Sequence, residues 1–167
     1  MILYNCVGHE IKETDLKLQS PEFGTVYPDG RAKINWKPED DDIDNRGYDK
    51  HNREENGQYT IDIELKKGTR ICRYGSPMGY SSSPVNTDYE LMALPYVKET
   101  IEYHEYIVTA DNLAVRLIVE KGKAGAMFNS PGGAVQYTHK QSINLDVFDQ
   151  KLKEDVTWLK QKKNLAK

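Results

Sequence analysis

The residues of this chain best suited to chemistry fall in four short stretches. They are "RYGSPMGY" from Arg73, "LMALP" from Leu91, "YHEY" from Tyr103 and "SPGGAVQY" from Ser130. Gln136 carries a neutral amide that both accepts and donates hydrogen bonds. Arg73 presents a planar fork of donors suited to carboxylates and phosphates. Histidine, here His104, ordinarily titrates near neutral pH, and Tyr80 joins an apolar ring to a hydrogen-bonding tip. Gly132 and Gly133 permit positive φ and close approach by another backbone or a ligand, just ahead of Gln136. Taken singly, each residue also has an ordinary reading. Gln136 and His104 fit solvent-facing strand positions, Arg73 a surface charge and Tyr80 a loop aromatic.

These groups need a framework, and the hydrophobic pattern supplies one from Gln58 onward. "YTIDIEL" alternates strictly, placing Tyr59, Ile61, Ile63 and Leu65 on one face of a half-buried strand. "KKGTRICRYG" reads as a turn at Gly68 and a second strand, forming a hairpin with the first. "SPMGYSSSP" reads as a loop. "EYIVTA" and "LAVRLIVEK" are two further strands joined by an Asp111–Asn112 turn. Ala134 to Tyr137 form another strand, with Val135 and Tyr137 on one face and Gln136 on the other. From Asp146 to Lys163 the apolar residues Phe148, Leu152, Val156 and Leu159 recur at helical spacing. An acidic start and a lysine-rich end suit one amphipathic C-terminal helix. Strands first and helix last give an α+β class with a small mixed or antiparallel β core.

Residues 1–57 differ from this core, here taken as 58–167. They are dense in Pro, Gly, Asp and Asn, with one strand near Ala32 to Trp36, and read as an irregular arm of the same domain. The arm could cover a cleft, meet a partner or pack against the sheet. The acidic run Glu39 to Asp42 lacks the glycine and terminal glutamate of a calcium loop and reads as solvated. A net charge of -3 leaves no basic footprint for general nucleic-acid binding, which also weighs against a nuclease built on His104 and His139. The four histidines show no metal-ligand spacing, and Cys6 and Cys72 are too few and too far apart for structural zinc, so no metal is expected. Whether the two cysteines pair is open. Tyrosine outnumbers phenylalanine 11 to 3, which suits half-wet clefts. No signal-peptide pattern and no apolar run of membrane-spanning length is read, so no membrane insertion by this chain is expected.

In their order and intervals the four stretches resemble the tuberculosis necrotizing toxin family, the TNT-type NAD glycohydrolases. That family runs Arg-Tyr-Gly or Arg-Phe-Gly with a glycine and an aromatic soon after, then Arg-Ala-Leu-Pro, a Tyr-His-x-Tyr-like strand and Gly-Gly-x-x-Gln. The likeness covers roughly Leu65 to Tyr137, with a weaker match in "YPDG". It implies a fold like a reduced ADP-ribosyltransferase and hydrolysis of the nicotinamide–ribose bond of NAD+ or NADP+. The dinucleotide would be substrate, with no cofactor. It further implies an exported or delivered toxin domain that acts in a target-cell cytosol and is neutralised by a cognate immunity protein. Carried over by position, Gln136 and His104 are the catalytic candidates. Gln136 would orient water or a ribose hydroxyl, and His104 would orient the same groups or act as a base. Arg73 would bind pyrophosphate, Tyr80 a base or ribose, and Gly132 and Gly133 would let substrate approach the backbone. Met92 stands where the family has arginine, with Arg70 and Arg116 as candidates to supply the charge. Cys72 stands where aspartate is common. No Glu-x-Glu or Gln-x-Glu pair follows the glycine signature, which favours hydrolysis. The alternatives are an ADP-ribosyltransferase and a catalytically altered dinucleotide-binding homologue.

Overall fold

The computed structural model describes residues 2–36, 41–110 and 114–165. Two short hairpins lie in the first third: β1 (Leu3–Tyr4) with β2 (Glu10–Ile11), and β3 (Gly24–Val26) with β4 (Ala32–Ile34). Then come β5 (Thr60–Leu65), β6 (Arg70–Tyr74), β7 (Ser81–Pro84), β8 (Tyr103–Val108), β9 (Leu117–Lys123) and β10 (Val135–His139). The chain ends in α1 (Ile143–Phe148), β11 (Leu152–Glu154) and α2 (Thr157–Leu165). Strands β5 to β11 form one antiparallel sheet of seven, in the order β11-β8-β6-β7-β10-β9-β5.

That order corrects two sequence expectations. The turn at Gly68 does not pair β5 with β6, because β5 is the far edge strand beside β9 while β6 sits between β7 and β8. Instead the Gly68 amide donates to the carbonyl of Val108 on β8. Strands β8 and β9 are not neighbours either, and the Asp111–Asn112 turn expected between them lies outside the described residues, as do Glu39 and Asp40 of the acidic run.

The segment read as a loop, "SPMGYSSSP", supplies the central strand of the sheet. Serines and a proline have little strand preference, so context decides. β7 changes partner midway: Ser81 and Ser82 pair with Thr138 and Tyr137 of β10, whereas Ser83 and Pro84 pair with Cys72 and Ile71 of β6. Beyond Cys72 the ladder between β6 and β7 stops. The opening left there becomes a wall of the site described below.

The single helix expected from Asp146 to Lys163 is replaced by two helices with an edge strand between them. Gln150 takes φ 62, a left-handed turn that ends α1, and Leu152 then pairs with Val108. Covering the open edge of β8 while burying Leu152 outweighs the helical periodicity. Phe148 and Leu152, predicted to share a stripe, are 81% and 2% exposed. The main core lies between one face of the sheet and α1, with Leu65, Ile71, Tyr106, Val108, Val119, Tyr137 and Ile143 at its centre. Cys72, Tyr103 and Trp158 form a second cluster, against which Met92 packs.

Candidate active site

Where β6 and β7 part, a cavity of about 350 Å³ opens. Its sheet wall is built from Cys72, Arg73, Ser81, Ser83, Gln136 and Thr138, and its other walls come from three connections, 45–47, 92–96 and 124–127. Among the described residues its lining holds two guanidinium groups, Arg46 and Arg73, and no carboxylate.

Arg73 fills the opening in the sheet. Its Nε donates to the carbonyl of Ser76 at 2.7 Å, and its Nη1 donates to the carbonyl and hydroxyl oxygens of Ser81 at 3.0 Å each. The side chain thus takes the place of the missing ladder partners of β7. Gly79 has to be glycine for this: a Cβ there would fall 1.9 Å from Nη2 and 2.2 Å from Cζ of Arg73. Burial draws the guanidinium below the usual arginine pKa, although tyrosines and Glu102 nearby favour its charge. No Asp or Glu forms an ion pair with Arg73 among the described residues, and Nη2 has no protein acceptor there. A largely buried cation with no carboxylate partner is an anion site in waiting.

Gln136 stands on β10 facing the cavity, while its neighbours Val135 and Tyr137 pack on the core side, as the alternation predicts. Its Nε2 donates to the carbonyl of Arg46 at 3.1 Å. With the amide nitrogen so committed, Oε1 is left as an acceptor. Tyr80 lines the mouth, 55% exposed, and its carbonyl is tied to the backbone of His139 at 2.7 Å. Trp36 stands at the rim, edge-on to Tyr96 and Phe128.

The other sequence candidates lie elsewhere. His104 pairs with Arg73 across β8 and β6 but does not line the cavity. Its Nε2 meets Glu102 at 2.7 Å and its Nδ1 meets Glu154 at 2.6 Å. Burial pulls the imidazole pKa down, but the bonds and charges of the two carboxylates outweigh this and push it up to about 9. Gly132 and Gly133 also stand outside the lining. Both take positive φ, and a Cβ at Gly132 would fall 2.5 Å from the carbonyl oxygen of Ala124. The close approach that Gly132 allows is therefore to backbone, whereas a Cβ at Gly133 would meet nothing within 4 Å. The Gly133 amide donates to that carbonyl and the Ala134 amide to Leu91, which ties the "LMALP" turn to β10.

Within that turn Ala93 lines the cavity at φ 56, a left-handed conformation that costs a non-glycine residue about 1–2 kcal/mol. Neither residue considered as a substitute for the family arginine is available: Arg70 is paired with Asp155, and Arg116 with Glu64 at 2.7 Å. Arg46, in the loop-rich arm, is the second cation at the cavity. Its own charge is shared with Asp44, 3.1 Å away, and Glu120, and the guanidinium lies over the Tyr48 ring at 5.2 Å. Sequence reasoning passed over Trp36, Asn45, Arg46 and Tyr96, because a turn such as "DNRGYD" announces a loop and not what the loop covers.

On the opposite face of β7 a buried chain holds α1 in place. Ser82 Oγ bonds His139 Nε2 at 2.7 Å, and His139 Nδ1 bonds Asp146 Oδ2 at 2.9 Å. Gln141 Nε2 donates to the other Asp146 oxygen at 2.8 Å. Cys6 and Cys72 are free thiols, and burial pushes the Cys72 thiol up to about 12. Among the described residues no group of three or more His, Cys, Asp or Glu side chains could hold a metal ion, and no helix is long and apolar enough to cross a membrane.

Structures similar to this chain include two solved complexes. One is the tuberculosis necrotizing toxin (TNT) complexed with its immunity factor IFT, at a TM-score of 0.56 and 16% identity over 78% of this chain. The match covers 66% of that chain, just under two thirds of its length. The other, Tse6 in complex with Tsi6, aligns over 48% of this chain and 65% of that one, at 22% identity and a TM-score of 0.35. No curated protein matches the sequence. The family model described as tuberculosis necrotizing toxin matches residues 64–167, more than half of the chain. With β5 to β11, the sheet wall of the cavity and the four motif stretches all inside or at the border of that segment, the chain belongs to the tuberculosis necrotizing toxin family.

Proposed function

We propose that this chain is an NAD(P)+ glycohydrolase toxin domain, which cleaves the nicotinamide–ribose bond to release nicotinamide and ADP-ribose or its phosphate. One observation carries the reading: Arg73 and Gln136, from two separate motifs, meet in one cavity whose described lining holds no carboxylate. The arginines suit the anionic pyrophosphate of a dinucleotide, and the neutral amide oxygen of Gln136 is the dipole left for the ribose that becomes cationic as the bond breaks. Nicotinamide departs as a neutral molecule, so the step needs no general acid.

In this mechanism the Nη2 edge of Arg73 takes a pyrophosphate oxygen, with Arg46 on the facing wall. Tyr80 and Trp36 give the rim flat apolar surfaces for the rings of the substrate. Gln136 Oε1 accepts a hydrogen bond from the attacking water, whose oxygen bonds to C1′ of the ribose and whose proton passes to solvent. A neutral amide suits this task, since it orients water without forming a covalent adduct with the sugar cation. His104 belongs outside the chemistry: both ring nitrogens are engaged by carboxylates, so it holds β8 to β11 and the Glu102 turn instead of acting as a base. Gly132 and Gly133 shape the turn that delivers Gln136. NAD+ or NADP+ is substrate, and the reaction as written calls for no cofactor.

The same reading includes a core related to reduced ADP-ribosyltransferases, with residues 1–57 as an arm of the same domain. It also includes delivery into a target-cell cytosol and a cognate immunity protein. The partner is supported by the structurally similar toxin, whose complex contains an immunity factor. Nicotinamide release from NAD+ and NADP+ by the purified chain, with Gln136→Ala alongside, is the test. Release by the parent, and a fall of at least about 100-fold in kcat for the folded variant, is expected. A folded parent that releases nicotinamide from neither dinucleotide overturns the proposal, and ADP-ribose found on protein would move it to the transferase.

A further inference from the structure

The family match begins at residue 64, yet Asn45, Arg46 and Gly47 line the cavity. We propose that the strap Asp44 to Tyr48 is a working part of the site, and that Tyr48 is the positioning residue that sets the orientation of Gln136. The inference rests on the glycohydrolase reading above.

The strap is tied to the end of β9 on its C-terminal side. Gly125 donates its amide to the carbonyl of Gly47 at 2.7 Å, and Asp49 donates to Lys123 at 2.9 Å, so the strap runs along the end of β9 as an added backbone partner. Asp44 closes the turn from within, its Oδ1 accepting from the amides of Arg46 at 2.8 Å and Tyr48 at 3.0 Å. Tyr48 is the peg that seats this turn on the sheet. It is 0% exposed, and its ring lies over Gly122, where a Cβ would fall 2.5 Å from Cδ1. Its hydroxyl bonds Thr138 Oγ1 at 2.5 Å, on the strand that carries Gln136.

The consequence for Gln136 follows from the amide. A free glutamine side chain samples two amide orientations and several rotamers, which present Oε1 or Nε2 to the cavity in turn. The Arg46 carbonyl accepts only from Nε2, at 3.1 Å, so a seated strap leaves Oε1 toward the water site. Arg46 reaches this position by its backbone, while its side chain holds the strap through Asp44 and Glu120. A segment outside the family core thereby supplies what a lone strand residue lacks, a fixed hydrogen-bond acceptor.

The experiment is a double-mutant cycle on nicotinamide release by the full chain, using Tyr48→Phe, Gln136→Ala and both together. Tyr48→Phe keeps the ring in its seat over Gly122 and removes the hydroxyl's bond to Thr138, together with its longer contacts to the carbonyls of Glu120 at 3.3 Å and Gln136 at 3.5 Å. Expected is a fall of about tenfold in kcat for Tyr48→Phe with KM nearly unchanged, and no further fall when it is added to Gln136→Ala. A role in stability alone would lower the melting temperature and cut activity by the same factor in both backgrounds, which overturns the inference. Glu120→Gln, which lies outside the cavity lining and weakens the Arg46 anchor, is run beside it in case Tyr48→Phe does not fold, with the same coupling to Gln136 expected. An inactive folded parent would take down the glycohydrolase reading and this inference together. An active parent with additive effects takes down this inference alone.

Discussion

Replacing Gly79 with alanine tests the seat of Arg73 without changing any charge or polar group. The new methyl would stand 1.9 Å from Nη2, 2.2 Å from Cζ and 2.8 Å from Nε of Arg73, distances at which the guanidinium has to leave. Leaving breaks three charge-assisted hydrogen bonds to Ser76 and Ser81. Each is worth about 1.5–3 kcal/mol in a native setting. The guanidinium regains water when expelled, and the freed oxygens are close to solvent, so the net cost is about 2–4 kcal/mol. For a chain of this size that corresponds to a fall in Tm of roughly 5–15 °C. Urea unfolding followed by near-ultraviolet circular dichroism gives the stability, and nicotinamide release from NAD+ gives the function. Both should fall, with KM rising because the Arg73 cation proposed to bind the pyrophosphate has moved. A Gly79→Ala protein within about 0.5 kcal/mol of the parent, with unchanged KM, would refute the reasoning, since Arg73 would then have neither the seat nor the role assigned to it.

Further outcomes are expected elsewhere in the fold. His104, with its pKa raised from 6.5 to about 9, should stabilise the protein fully below pH ~6.5 and lose that contribution as pH rises through 9. The shift sets a ceiling of about 3 kcal/mol, reduced to about 2 by the exposure of Glu154, and is read as the difference in Tm between the parent and His104→Gln from pH 6 to 10. Tyr106 is 1% exposed and its hydroxyl has no hydrogen-bond partner among the described residues, so Tyr106→Phe should leave stability unchanged or raise it by about 1 kcal/mol in urea unfolding. Leu152→Ala should cost about 2–5 kcal/mol while Phe148→Ala costs under about 0.5, a contrast that a single amphipathic helix would not produce. Asp146→Ala, which leaves the buried Nδ1 of His139 and the Gln141 amide without their partner, should cost about 1–3 kcal/mol and loosen α1, seen as faster amide exchange in Ile143 to Phe148.

Much of this protein is legible in its residues alone, wherever a local rule is strong. Strict alternation in "YTIDIEL" and around Gln136 identified β5 and β10, and predicted that Gln136 and Tyr137 face opposite sides. The order of four short motifs carried the family, and it marked Arg73, Tyr80 and Gln136, which line one cavity. Local signals failed where distant segments decide the outcome. Three serines and a proline became the central strand because β10 and β6 flank them, and the C-terminal stripe was cut because the edge of β8 had to be covered. His104 has the right type and place in its motif, but only the fold brings Glu102 and Glu154 onto both its nitrogens. The strap is the clearest case. In the sequence it is one more polar loop, and its hold on Gln136 depends on contacts across some ninety positions of the chain. Periodicity and motif order are short-range properties that side-chain chemistry fixes locally. Pairing order, the gap filled by Arg73 and the acceptor that aims Gln136 arise only when the whole sheet closes, because each depends on which backbone comes to lie beside which.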